Sequence, residues 1–344
     1  MVIRINLALQ GGGAHGAFTW GVLDHLLQDE EIEIAAISGT SAGALNAAAL
    51  KAGMITGGRK GARAALKTLW DNVGTVGDLR LNAWMKPFLP FAAAWTEALE
   101  EAFNVSPQGI AAQVFSPYIW GDHWTNPLDR VVRKFDFTHV CATDEPRLFI
   151  SATNVRTGKI RVFQDQDISP EVLLASTCLP TVFQAQDVTD PKTGVTDSYW
   201  DGGYTGNPAL FPLYDRTLPD DIVIVSINPL WREAIPDTPS EIQNRINEIS
   251  FNAALLGELR SINFVQRLIA EGRMPRGHMK DPKIHMISDD PLMIELSATT
   301  KMLPTPAILA RLKQAGQTAA KGFLAANRAD LNQRSSVNLP VLFS

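Results

Sequence analysis

The sequence predicts an α/β fold of three layers, helix on sheet on helix, around a mainly parallel central sheet. Three observations predict it. Apolar strand patterns at 5–9 and 32–37 each run into a glycine-framed turn and then a helical pattern, so strand, turn and helix alternate twice before Leu50. Ile222 to Ile227 is an apolar run broken only by Ser226, which reads as a strand covered on both faces. The chain has 344 residues, 45% of them hydrophobic and 19% charged, enough for a sizeable core in one large domain or two.

The first strand, Ile5 to Leu9, leads into Gly11-Gly12-Gly13-Ala14-His15-Gly16. A helical pattern follows over roughly Gly16 to Leu27, with Trp20, Leu23, Leu26 and Leu27 on one face. Glycines let neighbouring N–H groups point outward together and let a substrate come close. The spacing also satisfies the dinucleotide fingerprint G-x-G-x-x-G. That motif needs an acidic residue at the end of the second strand, which here ends Ile37-Ser38-Gly39, so the fingerprint fails. A phosphate loop needs Gly-Lys-Ser/Thr where this chain has Gly16-Ala17-Phe18.

The second strand, about Ile32 to Ile37, ends in Gly39-Thr40-Ser41-Ala42-Gly43, and an Ala-rich helix follows to Leu50. This is G-x-S-x-G between a strand and a helix. A sharp strand-to-helix turn leaves no room for side chains two positions either side of its strained centre, so Gly39 and Gly43 are required there. Ser41 is then held out at the tip, over a helix amino end that favours negative charge. The plainer reading is an ordinary βα turn with serine as cap. Beside a serine nucleophile, the triple-glycine loop is what an oxyanion hole requires.

At this point the chain resembles the patatin-like phospholipases, of the bacterial single-domain kind. Four blocks carry the resemblance, in the family's order and separation: the Gly11–Gly16 loop, the Gly39–Gly43 turn, Ala175-Ser176-Thr177-Cys178-Leu179-Pro180, and Asp201-Gly202-Gly203 with Asn207-Pro208 after it. They span about residues 1 to 230. The resemblance implies a patatin-like fold and hydrolysis of lipid acyl esters by a Ser-Asp dyad without histidine. Ser41 is then the nucleophile, Asp201 the base, and the backbone of Gly11, Gly12, Gly13 and Ala14 the oxyanion hole. It implies supporting positions at His15, Gly16, Gly39, Gly43, Gly202 and Gly203. The family usually has Arg or Lys where this chain has His15, so a fixed positive charge beside the loop is replaced by one expected to depend on pH.

Onward from the Ala-rich helix, residues 53–70 hold Arg59, Lys60, Arg63 and Lys67, several on one helical face: a solvated face, or one drawn to anionic lipid. Residues 71–127 are the least regular part, with aromatic, proline-broken stretches at 81–95 and 114–120. They read either as a packed insertion or homodimer contact, or as a cap lining an acyl-chain groove at a lipid interface. A short helix is expected over Leu128–Phe135, then a hairpin of Leu148–Thr153 and Lys159–Phe163 about Thr157-Gly158. Ser169 caps a helix with Pro170 at its first position, running through Leu173 to Ser176 and stopping near Pro180. Thr196 to Trp200 is a short strand with Asp201 at its end, and Gly202-Gly203 turns the chain tightly beyond it. A lone Asp-Gly is ordinarily only a turn; the two glycine-framed turns upstream are what make this one a catalytic candidate. Residues 241–269 read as one long amphipathic helix or a broken pair, Lys283–Ile287 as the last strand, and a final helix starts at Thr305-Pro306. One domain over 1–330 with a peripheral tail over 331–344 is the expected organisation.

Net charge of −5 argues against nucleic-acid binding. Cys141 and Cys178 are far apart, which fits a reducing, cytoplasmic setting with peripheral contact at the inner membrane face as a further option. The sequence shows no run of ~18 apolar residues. No metal is implied, since no His/Asp/Glu cluster has ligand spacing, and no cofactor is expected. Two rivals stay open. A Ser-His-Asp esterase would run Ser41, Asp201, then His278 or His285 in chain order. A lipid-sensing regulatory protein would keep the hydrolase fold without its chemistry.

Overall fold

The structure is a computed structural model that describes residues 2–85, 117–118, 126–296 and 298–343. Its centre is an eight-stranded sheet in the order β5-β6-β3-β2-β1-β7-β8, with β4 paired to β3 off that path. The strands are β1 (Ile3–Leu9), β2 (Ile32–Thr40), β3 (Arg147–Asn154), β4 (Ile160–Gln164), β5 (Gln186–Thr189), β6 (Thr196–Asp201), β7 (Asp221–Val225) and β8 (Lys283–Ile287). From β3 through β2, β1 and β7 to β8 all pairings are parallel, while β4, β5 and β6 add antiparallel pairings on the other side. The expected hairpin is β3–β4, turning at Gly158 with φ 66°.

Alternation along the central strands separates two cores. Ile5, Leu7 and Leu9 of β1, with Val223 and Val225 of β7, face a layer built from α1 (Gly16–Leu26), α2 (Ala42–Met85), α3 (Pro170–Ser176) and, beyond them, the C-terminal α6 (Pro306–Asn327). Ala8 of β1 and Ile222 and Ile224 of β7 face Leu255, Leu259 and Ile262 of α4 (Pro239–Ala270). Strands covered on both faces are mostly apolar, which is why 222–225 shows no alternation. Each fully buried Leu or Ile contributes ~1.5–3 kcal/mol.

Local signals account for the helix starts. Thr238 and Glu241 form a reciprocal capping box at α4, Thr305 caps α6, and Ser169 caps α3, each with proline in the first turn. Residues 241–269 form one helix. The Ala-rich helix runs on past Leu50 to Gly57 and Gly58, where the backbone leaves helical values, and a second helical stretch follows to Met85, so 71–85 is helical backbone where the sequence read irregular. The remainder of the aromatic, proline-broken stretches, and with them the proposed cap, lies almost wholly outside the described residues. The short helix before β3 is confined to Asp129–Val132.

Two further expectations change. The basic face of 53–70 is only partly the solvated face expected: Arg59 donates to the carbonyls of Asp29 and Ile32 and Arg63 pairs with Asp24 at 2.8 Å, while Lys60 and Lys67 are exposed, Lys67 beside Asp71 at 2.6 Å. The tail is not peripheral. Val337 N–H bonds to the Ile284 carbonyl at 3.1 Å, Ser335 Oγ accepts from Ile284 N–H at 3.0 Å, and Leu339 is buried in the α4-side core. The tail therefore covers the free edge of β8. Among the described residues no helix is long and apolar enough to cross a membrane.

Candidate active site

β1, which lies between β2 and β7, is the topological switch point of the parallel sheet, and the crevice beyond its carboxyl end is where open α/β sheets bind ligands. Three chain turns meet there. The turn after β2 puts Ser41 at φ 54°, the left-handed region that an L-residue occupies only when its surroundings impose it. Those surroundings are backbone. A Cβ on Gly39 would stand 2.7 Å from the Gly43 carbonyl oxygen, and one on Gly43 would run into the carbonyl oxygen of Leu9 in β1. Ser41 N–H donates to Ser176 Oγ at 2.9 Å, and Ser176 Oγ donates to the Ser151 carbonyl at 2.7 Å, which pins the turn to α3 and β3.

Asp201 arrives from β6, which pairs with β3 at Ala152 while β3 pairs with β2 at Thr40–Ser151. Two strand spacings thus separate the chains bearing Ser41 and Asp201, ~10 Å for their side chains to close. The segment after Asp201 is tied down on both strands: Thr40 Oγ1 donates to the Gly206 carbonyl at 2.6 Å, Ser38 Oγ to that of Ala209 at 2.6 Å, and Thr153 Oγ1 to that of Asp201 at 2.8 Å. The Asp201 carboxyl is fully buried, with Oδ1 accepting from Gly203 N–H at 2.7 Å. Burial drives its pKa up to about 7, against the opposing pull of the Gly203 N–H and the Ser41 hydroxyl. Oδ2 of the same carboxyl is buried without a hydrogen-bond partner.

The third turn is the glycine loop, a 3-10 turn over Gly13–His15 that opens α1. A Cβ on Gly11 would fall 2.5 Å from the Ser41 Cβ, so the loop lies directly on the serine. Gly11 N–H is already committed to Asn207 Oδ1 at 2.6 Å, which corrects its expected place among the outward-pointing donors. Among the described residues the N–H groups of Gly12, Gly13 and Ala14 have no protein acceptor. Gly16 begins α1 against the start of α2, where its Cβ would meet the Ala42 Cβ at 2.6 Å. Two helix amino ends thus converge on the crevice and make it favourable to negative charge. Gly202 is pressed against the Ser151 carbonyl and Gly203 against the Phe251 ring, so both hold the Asp201 turn tight.

His15 does not behave as the sequence led us to expect. It is fully buried, its Nε2 meets Thr300 Oγ1 at 2.7 Å, and Nδ1 is buried without a partner. Burial and the nearby Lys301 lower its pKa to about 3, so it is neutral throughout the working range and supplies no pH-dependent charge. His285 is buried on β8 with Nε2 2.9 Å from Asp221 Oδ1, at the amino end of β7 and so at the sheet edge opposite Ser41. His278 lies in the loop that enters β8, at that same edge. Neither imidazole is beside Ser41, which removes the geometric basis of a Ser-His-Asp triad built on them.

Residues the sequence did not single out hold the site together. Gln10 follows β1; its Oε1 accepts from Ile227 N–H at 2.9 Å and Asn228 N–H at 3.1 Å, and its Nε2 donates to Asn252 Oδ1 at 3.0 Å. Asn228 Nδ2 donates to the Gly11 carbonyl at 2.9 Å. Their only sequence signal is a polar residue immediately after an apolar strand, where a backbone turn needs partners. Cys141 and Cys178 are both free, and no group of His, Cys, Asp and Glu among the described residues is arranged to hold a metal ion.

The patatin-like phospholipase family model matches residues 7–214, a span that contains all three turns. Among solved structures, VipD from Legionella pneumophila is similar at 15% sequence identity and a TM-score of 0.42, over 94% of this chain and 67% of that one. No curated protein matches.

Proposed function

Because the chain belongs to the patatin-like phospholipase family and is on that ground a carboxylic ester hydrolase of lipids, we propose that it works through a Ser41–Asp201 dyad and an acyl-enzyme. Asp201 as carboxylate takes the Ser41 proton while Oγ adds to the ester carbonyl. The Gly12, Gly13 and Ala14 N–H groups receive the oxyanion. The carbon–oxygen bond to the alcohol breaks, and protonated Asp201 returns the proton to the leaving oxygen. Water then repeats the sequence on the acyl-Ser41 ester, with Asp201 again as base, and frees the fatty acid. The observation that carries this reading is the buried Asp201 carboxyl facing Ser41, with a pKa lifted to about 7, where a general base is most useful.

Phospholipase A, lysophospholipase and lipase specificities all fit this chemistry. Mixed cellular lipids incubated with the wild type and analysed by mass spectrometry are expected to yield free fatty acids and deacylated partners that Ser41→Ala does not produce. Identical lipid profiles for the two would contradict the reading. A lipid sensor that keeps the fold without turnover is disfavoured by the convergence of Ser41, Asp201 and the loop donors.

Peripheral membrane contact belongs to the same reading, through Trp231, Ile235 and the Ile242, Ile246, Ile249 stripe of α4. Trp231 is 66% exposed and Ile235 89%. The three isoleucines recur at helical spacing, while Phe251 and Asn252 of the same helix pack behind Gly203 and Gln10. Arg232 and Arg245 are spent on Glu248, and Glu233, Asp237 and Glu241 stand nearby, so the patch suits a zwitterionic surface rather than an anionic one. Trp231→Ala with Ile246→Ser is expected to weaken flotation with phosphatidylcholine vesicles by about 10-fold or more and spare a short soluble ester. Unchanged flotation, or a solution dimer that the same substitutions break, would assign the patch otherwise.

A further inference from the structure

The glycine loop has a partner far away in the chain. The short helix α5 (Ala298–Met302) lies on the Gly13–His15 turn. A Cβ on Gly13 would strike the Lys301 carbonyl oxygen, and Thr300 meets His15. The Lys301 side chain reaches back along the loop, where Nζ donates to Asn228 Oδ1 at 3.2 Å, and the Nδ2 of that same amide donates to the Gly11 carbonyl. One side chain therefore separates the ammonium from the loop.

The charged groups around Lys301 leave its charge unspent. Glu248 of α4 attracts it and Arg232, from the segment after β7, repels it. Glu248 is itself bonded by Arg232 at 2.6 Å and Arg245 at 3.2 Å, so its charge is already answered. Asp290 lies within the field of Glu248 but is held toward its neutral form by burial. His15, on the other side, is neutral. Among the described residues no carboxylate lies within ion-pair distance of Lys301 Nζ.

We propose that Lys301 is the cation of the oxyanion loop, supplied by α5 in place of a charged side chain at position 15, and that it biases the Gly12–Ala14 N–H groups toward the charge developing on the substrate carbonyl. The proposal rests on the Ser41–Asp201 reading. Lys301 acts through the loop rather than by touching substrate, so it is a positioning residue. One amide relays between the ammonium and the loop, in partly buried surroundings where a single charge matters more than in water.

Burial, outweighing the attraction of Glu248, lowers the Lys301 pKa to about 8. The loop then loses its cation as pH rises past that value, while Asp201 gains its basic form as pH rises past about 7. A bell-shaped pH–kcat profile with a narrow top follows. Lys301→Met is expected to lower kcat on the order of 10- to 100-fold, with KM within about twofold and no alkaline limb. Lys301→Arg keeps the charge at all accessible pH and is expected to retain the acid limb while the alkaline limb moves up by more than about one pH unit. A clamp with no electrostatic part would change the melting temperature of both variants and leave the shape of the profile alone. Wild-type kcat in Lys301→Met, or an alkaline limb unmoved in Lys301→Arg, overturns the proposal; should Lys301→Met not fold, the arginine variant decides. Ser41→Ala run alongside separates the two levels, because turnover surviving in that variant condemns the dyad rather than Lys301.

Discussion

Replacing Asp201 with Asn is expected to do two opposite things: reduce kcat at pH 7.5 by about 10³-fold or more and make the protein more stable above pH 7. On the dyad reading, the first follows from removing the base that takes the Ser41 proton, which leaves a poor nucleophile with donors alone. The second follows from the sign of the pKa shift. The folded value, about 7, lies above the ordinary aspartate value of 3.8. The unfolded chain thus gives up this proton more easily than the folded one. The stability tied to the neutral, buried acid is whole below the unfolded value and is lost as pH rises to and through about 7. Above that the ionised carboxylate, buried completely, lowers stability by ~4 kcal/mol relative to acid conditions. Asparagine never ionises, so the variant escapes the loss. Melting temperatures across pH 5 to 9 test this: the gap between Asp201→Asn and wild type should open toward neutrality and level off beyond it. A variant less stable than wild type at pH 8.5 would show that the carboxylate is held by partners rather than strained by burial.

The second large effect is steric. Gly43→Ala directs a methyl group into the carbonyl of Leu9, which belongs to a central strand bonded on both sides and has nowhere to retreat. Overpacking against side chains costs about 1–3 kcal/mol, and here the obstacle is backbone, so a loss of about 3 kcal/mol or more is expected in urea unfolding. A loss below about 0.5 kcal/mol would mean that the turn can open, and that Ser41 is not being forced into its left-handed conformation by its neighbours.

The parts of the molecule that were legible in the sequence are those where one local rule decides. Ile5 to Leu9 and Ile222 to Ile227 read as buried strands because both faces of the sheet are covered. Gly39, Ser41 and Gly43 read as a sharp turn because sterics at that spacing admit little else. Ser169-Pro170 and Thr305-Pro306 announced helix starts through side-chain capping. What was hidden depends on residues distant in the chain. His15 has the same sequence neighbours whether charged or neutral, and only the packing of α5 fixes its state. Gln10, Asn228 and Lys301 became visible as parts of the site only when β1, β7 and α5 came together. Gly11 has a glycine's usual licence to present its N–H outward, yet Asn207, 196 residues on, takes that group. The tail looked peripheral because its polar residues, Asn332, Ser335 and Ser336, resemble a solvated end; in the fold they answer Asp221, Ile284 and His285.

The central claim is that Asp201 is the base for Ser41, and labelling of Ser41 by a fluorophosphonate tests it most directly because it needs no knowledge of the natural lipid. The labelling rate of wild type, followed from pH 5 to 9 and located by peptide mass spectrometry, should rise through an inflection near the Asp201 value of about 7. In Asp201→Asn it should be slow and without that inflection. Labelling of Ser41 in Asp201→Asn at the wild-type rate, with the same dependence on pH, would contradict the account.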